Sequence, residues 1–437
     1  MQKAAAIEVA APTITMTPSM PSGDQQRTMF EDRRVLNLAF YVMVAVAVAW
    51  LGYQFWRLLF QPSPLGAVDL RLRHGECQEW FDGVRIYQTR VDAVYPPASY
   101  LMLWPLLGWS SSAVVRVFWV LPTLLSIAWI TRLVVQHSGV TDAGRRRLLW
   151  VLPAASYPVG ATVGNGQLSI LVVACLLAGL GMLALRPRSW GRDVAVACLM
   201  LAALVKPSVA AYFFWIPLFV PGGFRVACLV VSGYAALTIA ATFAQENGVV
   251  DLMQEWLTRA TRGAKWGASL GGGAIGGGGG GGGGGLVIKS INLHSLLTVT
   301  GQKQLIASVS YVPLLLLGAW VYLRRRGHLL SLLGVTAIVA RFCSYHGWYD
   351  DVMMLIPLTA LFFWAREAAT SRSRSFAAWL AVAFALSLLA PGGTYSLPRV
   401  LANVYAVGQA LCWLVAMVFL ASAVRKPYHE ARAGAGS

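Results

Sequence analysis

The chain has 437 residues, of which 57% are hydrophobic and 12% are charged, and its mean hydropathy is +0.60. A soluble protein of this length needs a far larger charged surface, so the composition excludes a soluble globular fold. The net charge is +17, but the arginines gather in short segments between apolar runs. Membrane topology and anionic headgroups explain this distribution better than nucleic acid, so we predict a lipid bilayer as partner and no nucleic acid.

Residues 1–34 are polar, and the first apolar run begins only after Arg33 and Arg34. The segment does not have the pattern of a signal peptide, and we expect a disordered cytoplasmic N-terminus. The cysteines show neither CxxC nor paired spacing. The sequence therefore supports neither a disulfide framework nor a zinc site.

The first predicted span covers about residues 35–60, and a polar stretch follows it as far as Pro97. Residues 98–107 are apolar but too short to cross, since a helix of this length covers ~15 Å of a ~30 Å hydrocarbon core. We therefore predict an extracytoplasmic loop over 61–112 with a helix that lies at or dips into the interface. Further spans are predicted near 113–136, 146–163, 167–186, 193–205, 207–220, 224–243, 304–323, 328–345, 351–366, 375–391 and 399–424.

An excess of Lys and Arg marks cytoplasmic loops, so the basic clusters constrain the number of spans. All the basic clusters lie on the same side of the membrane as the N-terminus only if residues 98–107 do not cross the membrane and the chain crosses it twice around Lys206. This predicts an all-α polytopic membrane domain over 35–424 with about twelve transmembrane helices and a cytoplasmic tail at 425–437. The clusters lie at 145–147, 186–192, 225, 324–326, 372–374 and 425–426.

The same topology places the unusual polar segments together on the extracytoplasmic face, which indicates one site there. One of them is the loop over 244–303, which begins with a piece of amphipathic pattern at 250–257 and contains an unbroken glycine run at 276–285. Polyglycine has no side chains to bury and much backbone entropy to lose, so we expect a flexible tether. A mobile lid over a site and a tolerated loop expansion are both open interpretations.

Asp69 follows the first predicted span, with Arg71 and Arg73 beside it. A carboxylate near the membrane surface next to arginines suits a general base that faces an anionic substrate, although a solvated charge cluster has the same composition. Glu76 lies one helical turn from Arg73, a spacing that favours an ordinary salt bridge over catalysis. Tyr95 opens a Tyr-Pro-Pro stretch that fixes an extended approach to the interfacial helix.

A tight turn between two predicted spans carries Asn165 and Gln167, whose amides can bind sugar hydroxyls or the backbone. Lys206 interrupts an apolar run, where a lysine is costly unless it faces water or an anion. We interpret it as a phosphate ligand, with snorkelling to the surface as the alternative. His346, Tyr349, Asp350 and Asp351 open another span, but their spacing does not match a metal site, and no metal is predicted.

The order of these motifs resembles glycosyltransferase family 87, a group of polyprenol-phosphate-sugar-dependent enzymes with the C-type membrane fold that includes α-mannosyltransferases. The resemblance covers about residues 35–366. The matching stretches are Val68-Asp69-Leu70, Gly83-Val84-Arg85-Ile86-Tyr87, Tyr95-Pro96-Pro97, Leu103-Trp104-Pro105-Leu106, Gly164-Asn165-Gly166-Gln167-Leu168-Ser169, Leu204-Val205-Lys206-Pro207 and Trp348-Tyr349-Asp350-Asp351.

The resemblance implies that Asp69 deprotonates an acceptor hydroxyl, which displaces a polyprenyl phosphate from the donor sugar with inversion. Mannose is the expected hexose, the acceptor would be a lipid or cell-envelope glycan, and no cofactor is expected. Lys206, with Arg71 or Arg73, would neutralise the departing phosphate. The other candidate substrate-binding residues are Glu76, Tyr95, Asn165, Gln167, His346, Tyr349, Asp350 and Asp351.

Two other classes of function remain open from the sequence. A transporter or flippase for a lipid-linked or small anionic substrate is the first alternative, although we find no convincing internal repeat of the kind that transporters show. A structural membrane protein without chemistry is the second. In either case we expect a multi-pass protein of the cell membrane, in a bacterial inner membrane, with its polar site on the extracytoplasmic side.

Overall fold

The computed structural model describes residues 33–269, 293, 302, 306–343, 347–390 and 398–424. Every element of regular structure assigned within these ranges is helical, in agreement with the predicted all-α class. The first helices in chain order are α1 (Arg33–Leu59), α2 (Val68–Phe81), α3 (Ile86–Thr89), α4 (Pro97–Leu107), α5 (Ser112–Phe118), α6 (Val120–His137), α7 (Ala143–Ala155), α8 (Tyr157–Asn165), α9 (Ser169–Leu185) and α10 (Trp190–Ala203).

The second part of the chain is also helical. It contains two short 3₁₀ helices, Ala211–Phe214 and Trp348–Met354. The remaining α-helices are α11 (Pro207–Ala210), α12 (Trp215–Phe219), α13 (Phe224–Thr242), α14 (Val249–Ser269), α15 (Ile306–Leu323), α16 (Leu329–Cys343), α17 (Leu355–Glu367), α18 (Ser371–Ser387) and α19 (Arg399–Ala423).

Within the described ranges, four helical stretches are long and apolar enough to cross a membrane, judged by length and composition alone. The number rises to six if each of two bent helix pairs is counted as one span. The four are Arg33–Leu59, Ser112–His137, Phe224–Thr242 and Val400–Ala423. The bent pairs are Ala143–Asn165 with Ser169–Leu185 and Trp190–Ala203 with Pro207–Phe219. Membrane character is thus supported, while the twelve spans and their orientation stay predictions.

The outer surface of α1 has the character expected next to lipid. Leu38 and Val48, within the helix, are 67% and 69% exposed, and Phe60, just beyond its end, is 70% exposed. A continuous apolar surface of this kind would drive aggregation in water, whereas hydrocarbon tails can cover it without cost. The interior of the protein, by contrast, contains a set of buried polar side chains near helix ends.

Two sharp bends bring helix ends into the interior. The chain turns by 115° between the pair that ends at Asn165 and the helix that starts at Ser169, and by 120° around Lys206. Gly166 adopts a φ of +66° as the residue that terminates α8, and Pro207 starts α11, where the missing N–H of proline is tolerated. The predicted run at 146–163 is also divided, into α7 and α8 at Ser156. Pro158 lies in the first turn of α8 and favours this boundary.

The stretch after α1 folds into three helices instead of an open loop. The first of them is α2, which begins at Val68, and the predicted run at 98–107 is the separate short helix α4. The Trp80 indole N–H donates to the carbonyl of Ala241 at 2.9 Å, and its ring stacks on Tyr100 with centroids 5.0 Å apart. These contacts join α2 and α4 to α13. The interfacial position of α4 stays a prediction.

Several expectations fall outside the described residues. They concern the disordered N-terminus at 1–32, the glycine run at 276–285, His346 and the tail at 425–437. The piece at 250–257 is part of the longer helix α14, which continues to Ser269.

Candidate active site

Lys206 occupies the centre of the buried polar side chains, at the break between α10 and α11. Its ammonium group donates to Gln167 Oε1 at 3.1 Å, to Ser169 Oγ at 2.9 Å and to Asp350 Oδ1 at 2.6 Å. These contacts use all three donors of the ammonium group. The nitrogen also lies 5.1 Å from the centroid of the Tyr349 ring, within the range of a cation–π interaction. The side chain therefore does not snorkel to the surface.

Asp350 is the counter-charge of Lys206. Both side chains are less than one-tenth exposed, and the Ser169 hydroxyl also hydrogen-bonds the carboxylate oxygen that Lys206 contacts. A buried lysine is stable only when it is paired and hydrogen-bonded in this way. Three segments distant in sequence, the α8–α9 turn, the α10–α11 break and the 3₁₀ helix before α17, are thus joined by one ion pair.

Asp69 lies at the edge of this cluster, in the first turn of α2. The Gln167 side chain lies beside its carboxyl group, and the charges of Lys206 and Arg73 act on it. Burial raises the pKa of Asp69 above the usual aspartate value, because the charged form loses hydration, and it outweighs the opposing effects of Lys206, Arg73 and Gln167. Asp69 as a residue is partly exposed, whereas Lys206 and Asp350 are buried.

The start of α2 is held on the α8–α9 turn by backbone contacts. The Ala67 N–H donates to the Gly164 carbonyl at 3.2 Å, and Ala67 adopts a φ of +48°, an unusual conformation for a residue with a side chain. On the other side, a Cβ atom at Gly166 would lie 2.5 Å from that of Leu70. The glycines thus permit the close approach that brings Asp69 to Gln167.

Arg73 and Glu76 form the ion pair that their spacing predicts, and both are buried. The guanidinium lies 4.4 Å from the centroid of the Tyr95 ring, and the Tyr100 hydroxyl donates to Glu76 at 3.2 Å. Burial, opposed by Arg73, raises the pKa of Glu76 to about 7. Arg73 therefore links two carboxyl groups, since its charge also acts on Asp69.

Comparison with protein-family models finds one that matches residues 93–344, described as glycosyltransferase family 87. This match covers more than half of the chain. The protein belongs to glycosyltransferase family 87. No significant match is found among curated proteins or among solved structures. The predicted family is confirmed, and with it the assignment to the glycosyltransferases. The matched range contains Gln167, Ser169 and Lys206, whereas Asp69 precedes it and Asp350 follows it.

Arg71 differs from the other cations of this family 87 glycosyltransferase. Its side chain is partly exposed and forms no hydrogen bond or ion pair in the part of the chain that the structure describes. Arg116 lies within electrostatic reach and donates to the carbonyls of Arg57 and Gln61 at 3.2 and 2.8 Å, at the end of α1. The result is a group of positive charges that no carboxylate of the described residues neutralises.

Asn165 and Asp351 have partners outside the Lys206 cluster. The Asn165 side chain accepts from Arg57 at 3.3 Å, so it ties the α8–α9 turn to α1. The Asp351 carboxylate pairs with Arg341 and accepts from the Tyr157 hydroxyl. These contacts favour a structural role for both, in contrast to the substrate contact that the sequence predicts. His346 cannot be compared, because it lies outside the described residues.

Sequence reasoning did not select Ser169, Arg57 or Arg341 of the glycosyltransferase as site residues. Ser169 follows Gln167 by two residues in the same motif, and that proximity is the one signal that could have identified it. Arg341 lies within an otherwise apolar helix, where an arginine requires a partner. Among the described residues, no group of three or more His, Cys, Asp or Glu side chains is arranged to hold a metal ion.

Proposed function

We propose that the protein transfers a hexose from a polyprenyl-phosphate sugar to a hydroxyl of a lipid or cell-envelope glycan, with inversion. Mannose is the sugar that the family resemblance favours. The observation that supports this proposal most directly is the position of Asp69: a partly exposed residue whose carboxyl group lies beside Gln167 and is flanked by the charges of Lys206 and Arg73. Family membership favours this function over a transporter or flippase.

The proposed reaction is a single displacement. Asp69 takes the proton of the acceptor hydroxyl while the acceptor oxygen attacks the anomeric carbon of the donor. The bond between that carbon and the phosphate oxygen breaks, and the electron pair leaves with the polyprenyl phosphate. The raised pKa of Asp69 suits this role, because a general base is most effective when its pKa lies near the working pH.

The departing phosphate needs positive charge nearby, and the contacts distinguish the three candidate cations. Lys206 is paired with Asp350 and Arg73 with Glu76, so either would have to exchange partners. Arg71 has no such partner among the described residues and is partly exposed. We therefore assign the first contact with the phosphate to Arg71, with Lys206 and Arg73 contributing long-range attraction.

Replacement of the base tests the proposal. The Asp69→Asn variant keeps the shape and the partner Gln167 but cannot accept a proton, so the rate of transfer should fall by about 10²-fold or more. The measurement is release of free polyprenyl phosphate from polyprenyl-phosphate-mannose by purified protein, with membrane lipid extract as the source of acceptor.

The matched control is Asp82→Asn, because Asp82 lies exposed at the other end of the same helix. It should retain the parental rate. Full activity in Asp69→Asn would remove the base assignment, and equal loss in both variants would indicate damage to α2 instead of loss of proton transfer.

The proposed location of the site on the extracytoplasmic face of a bacterial inner membrane follows from the distribution of arginines along the chain. It places the polar cluster where lipid-linked donors and envelope glycans are both accessible.

A further inference from the structure

A polar groove of about 690 Å³ lies between α3 and α14, apart from the Lys206 cluster. Its volume falls within the range of pockets that bind small molecules. The lining residues are Arg85, Tyr87, Gln88, Asn247, Asp251, Gln254, Glu255, Thr258 and Arg259.

One wall of the groove is joined by polar contacts. Glu255 pairs with Arg85 and accepts from Gln88 at 2.9 Å and from Asn247 at 3.3 Å. Arg259 donates to the Tyr87 carbonyl at 2.8 Å. These contacts hold α14 against α3, so the groove is formed before any ligand arrives.

Other lining side chains are free to bind. Asp251, Gln254 and Thr258 are exposed and form no hydrogen bond within the described ranges of the chain. They project from successive turns of α14, since residues three and four apart lie on one face of a helix. A carboxylate, an amide and a hydroxyl together offer both donors and acceptors.

The charges of the groove cancel. Two arginines, Arg85 and Arg259, balance the two carboxylates, Asp251 and Glu255, so that the net charge of the lining is zero. Such a surface does not attract a phosphate or a nucleic acid, which would require an excess of positive charge. It suits a neutral ligand whose many hydroxyl groups donate and accept hydrogen bonds, which is the chemistry of a carbohydrate.

The wall of the groove leads towards Asp69. Tyr87 lines the groove, and its hydroxyl donates to the Tyr95 carbonyl at 2.7 Å. The Tyr95 ring packs on Arg73, whose charge acts on Asp69. Tyr87 and Tyr95 therefore connect the lining of the groove to the side chains around Asp69 through direct contacts.

We propose that this groove binds the carbohydrate part of the acceptor, a neutral hexose-containing glycan, and directs its reacting hydroxyl to Asp69. This inference rests on the proposed function, which defines an acceptor. It adds the place where the acceptor is recognised and the chemical class that is recognised there.

Saturation-transfer NMR on the full-length protein in detergent tests the groove, with α-linked mannobiose and maltose as probes. Transfer to the ring protons of mannobiose or maltose should be observed. In the variant with Gln254→Ala and Thr258→Ala, affinity should fall about tenfold, since about two hydrogen bonds are lost. Thr261→Ala is the control, because Thr261 lies on the same helix outside the groove and bonds only to Leu257 of its own helix among the described residues.

Absence of saturation transfer from the protein to either disaccharide, or equal affinity in the double variant and the control, would overturn the proposal. Asp251→Asn, which removes the charge of a third exposed side chain, provides a second test if the double variant unfolds. The Asp69→Asn protein separates the two proposals. If it still binds the disaccharides and also keeps the full rate of sugar transfer, the assignment of the base is rejected and the groove is kept. If the groove variants bind the disaccharides with unchanged affinity and Asp69→Asn loses sugar transfer, the groove is rejected and the base is kept.

Discussion

Lys206 shows how a single residue organises the interior of this glycosyltransferase. Its ammonium group is buried, and its three hydrogen bonds reach Gln167, Ser169 and Asp350. The ion pair with Asp350 compensates the charge of Lys206, and this explains why a positive charge can be buried among apolar helices. Asp69 lies beside the pair and is the partly exposed residue to which we assign the role of base. Structural and proposed chemical roles are thus divided between two neighbouring carboxylates.

Removal of the Lys206 charge should destabilise the protein strongly. Lys206→Met leaves Asp350 buried without its partner, and we expect a loss of about 3 kcal/mol in the free energy of unfolding. The double variant Lys206→Met with Asp350→Asn should recover part of this loss, because the unpaired charge is gone. Reversible denaturation in detergent measures both values.

The control for this prediction is Arg90→Met, which breaks the pair between Arg90 and Glu79. Both of those side chains are about one-third exposed, so the loss should not exceed about 1 kcal/mol. Equal losses in Lys206→Met and Arg90→Met would contradict a special role for the buried pair.

At the scale of elements, the turn between α8 and α9 positions the site. It contacts α2 through Ala67, carries Gln167 and Ser169, and is tied to α1 by Asn165. Its sequence indicated a tight turn with two amides, and that prediction is confirmed. The sequence did not show whether Asn165 or Gln167 faces Lys206. Nearby side chains of a turn point in different directions, and only packing decides which of them faces the interior.

Alanine at position 166 should disturb this arrangement. The φ of +66° disfavours a side chain, and the added Cβ would lie 2.5 Å from the Cβ atom of Leu70. We expect Gly166→Ala to lower the free energy of unfolding by about 2 kcal/mol and to reduce transfer, because α2 and Asp69 move away from Gln167.

Gly181→Ala is the matched control, in the middle of α9. A Cβ atom there meets nothing within 4 Å, so alanine should be neutral or stabilise the helix by up to about 1 kcal/mol. Thermal unfolding measures the stability of both variants, and the sugar-transfer assay then measures their rates. A Gly166→Ala protein with parental stability and rate would show that the turn does not set the position of Asp69.

At the scale of the whole molecule, Asp69 of the polar cluster and one wall of the groove both belong to the predicted loop over 61–112, at one end of the predicted spans. The distribution of arginines predicts that this end faces outward. Labelling with a membrane-impermeant maleimide tests the orientation. Gln88→Cys, exposed in α3, should react in intact spheroplasts, above the background of the natural cysteines.

Arg188→Cys, exposed between α9 and α10, should react only after the membrane is opened. The reverse pattern would place the proposed base on the cytosolic side. Reaction of both positions from outside would show that the predicted number of crossings between them is wrong.

The sequence by itself determined the membrane character, the helical class and the family, because apolar run lengths and ordered motifs are local properties. It also predicted the pair between Arg73 and Glu76, which is set by helical spacing alone. Only the tertiary structure decided that Lys206 pairs with Asp350 and that Asp351 pairs with Arg341. Adjacent aspartates look alike in a sequence, and their partners are chosen by how distant helices pack.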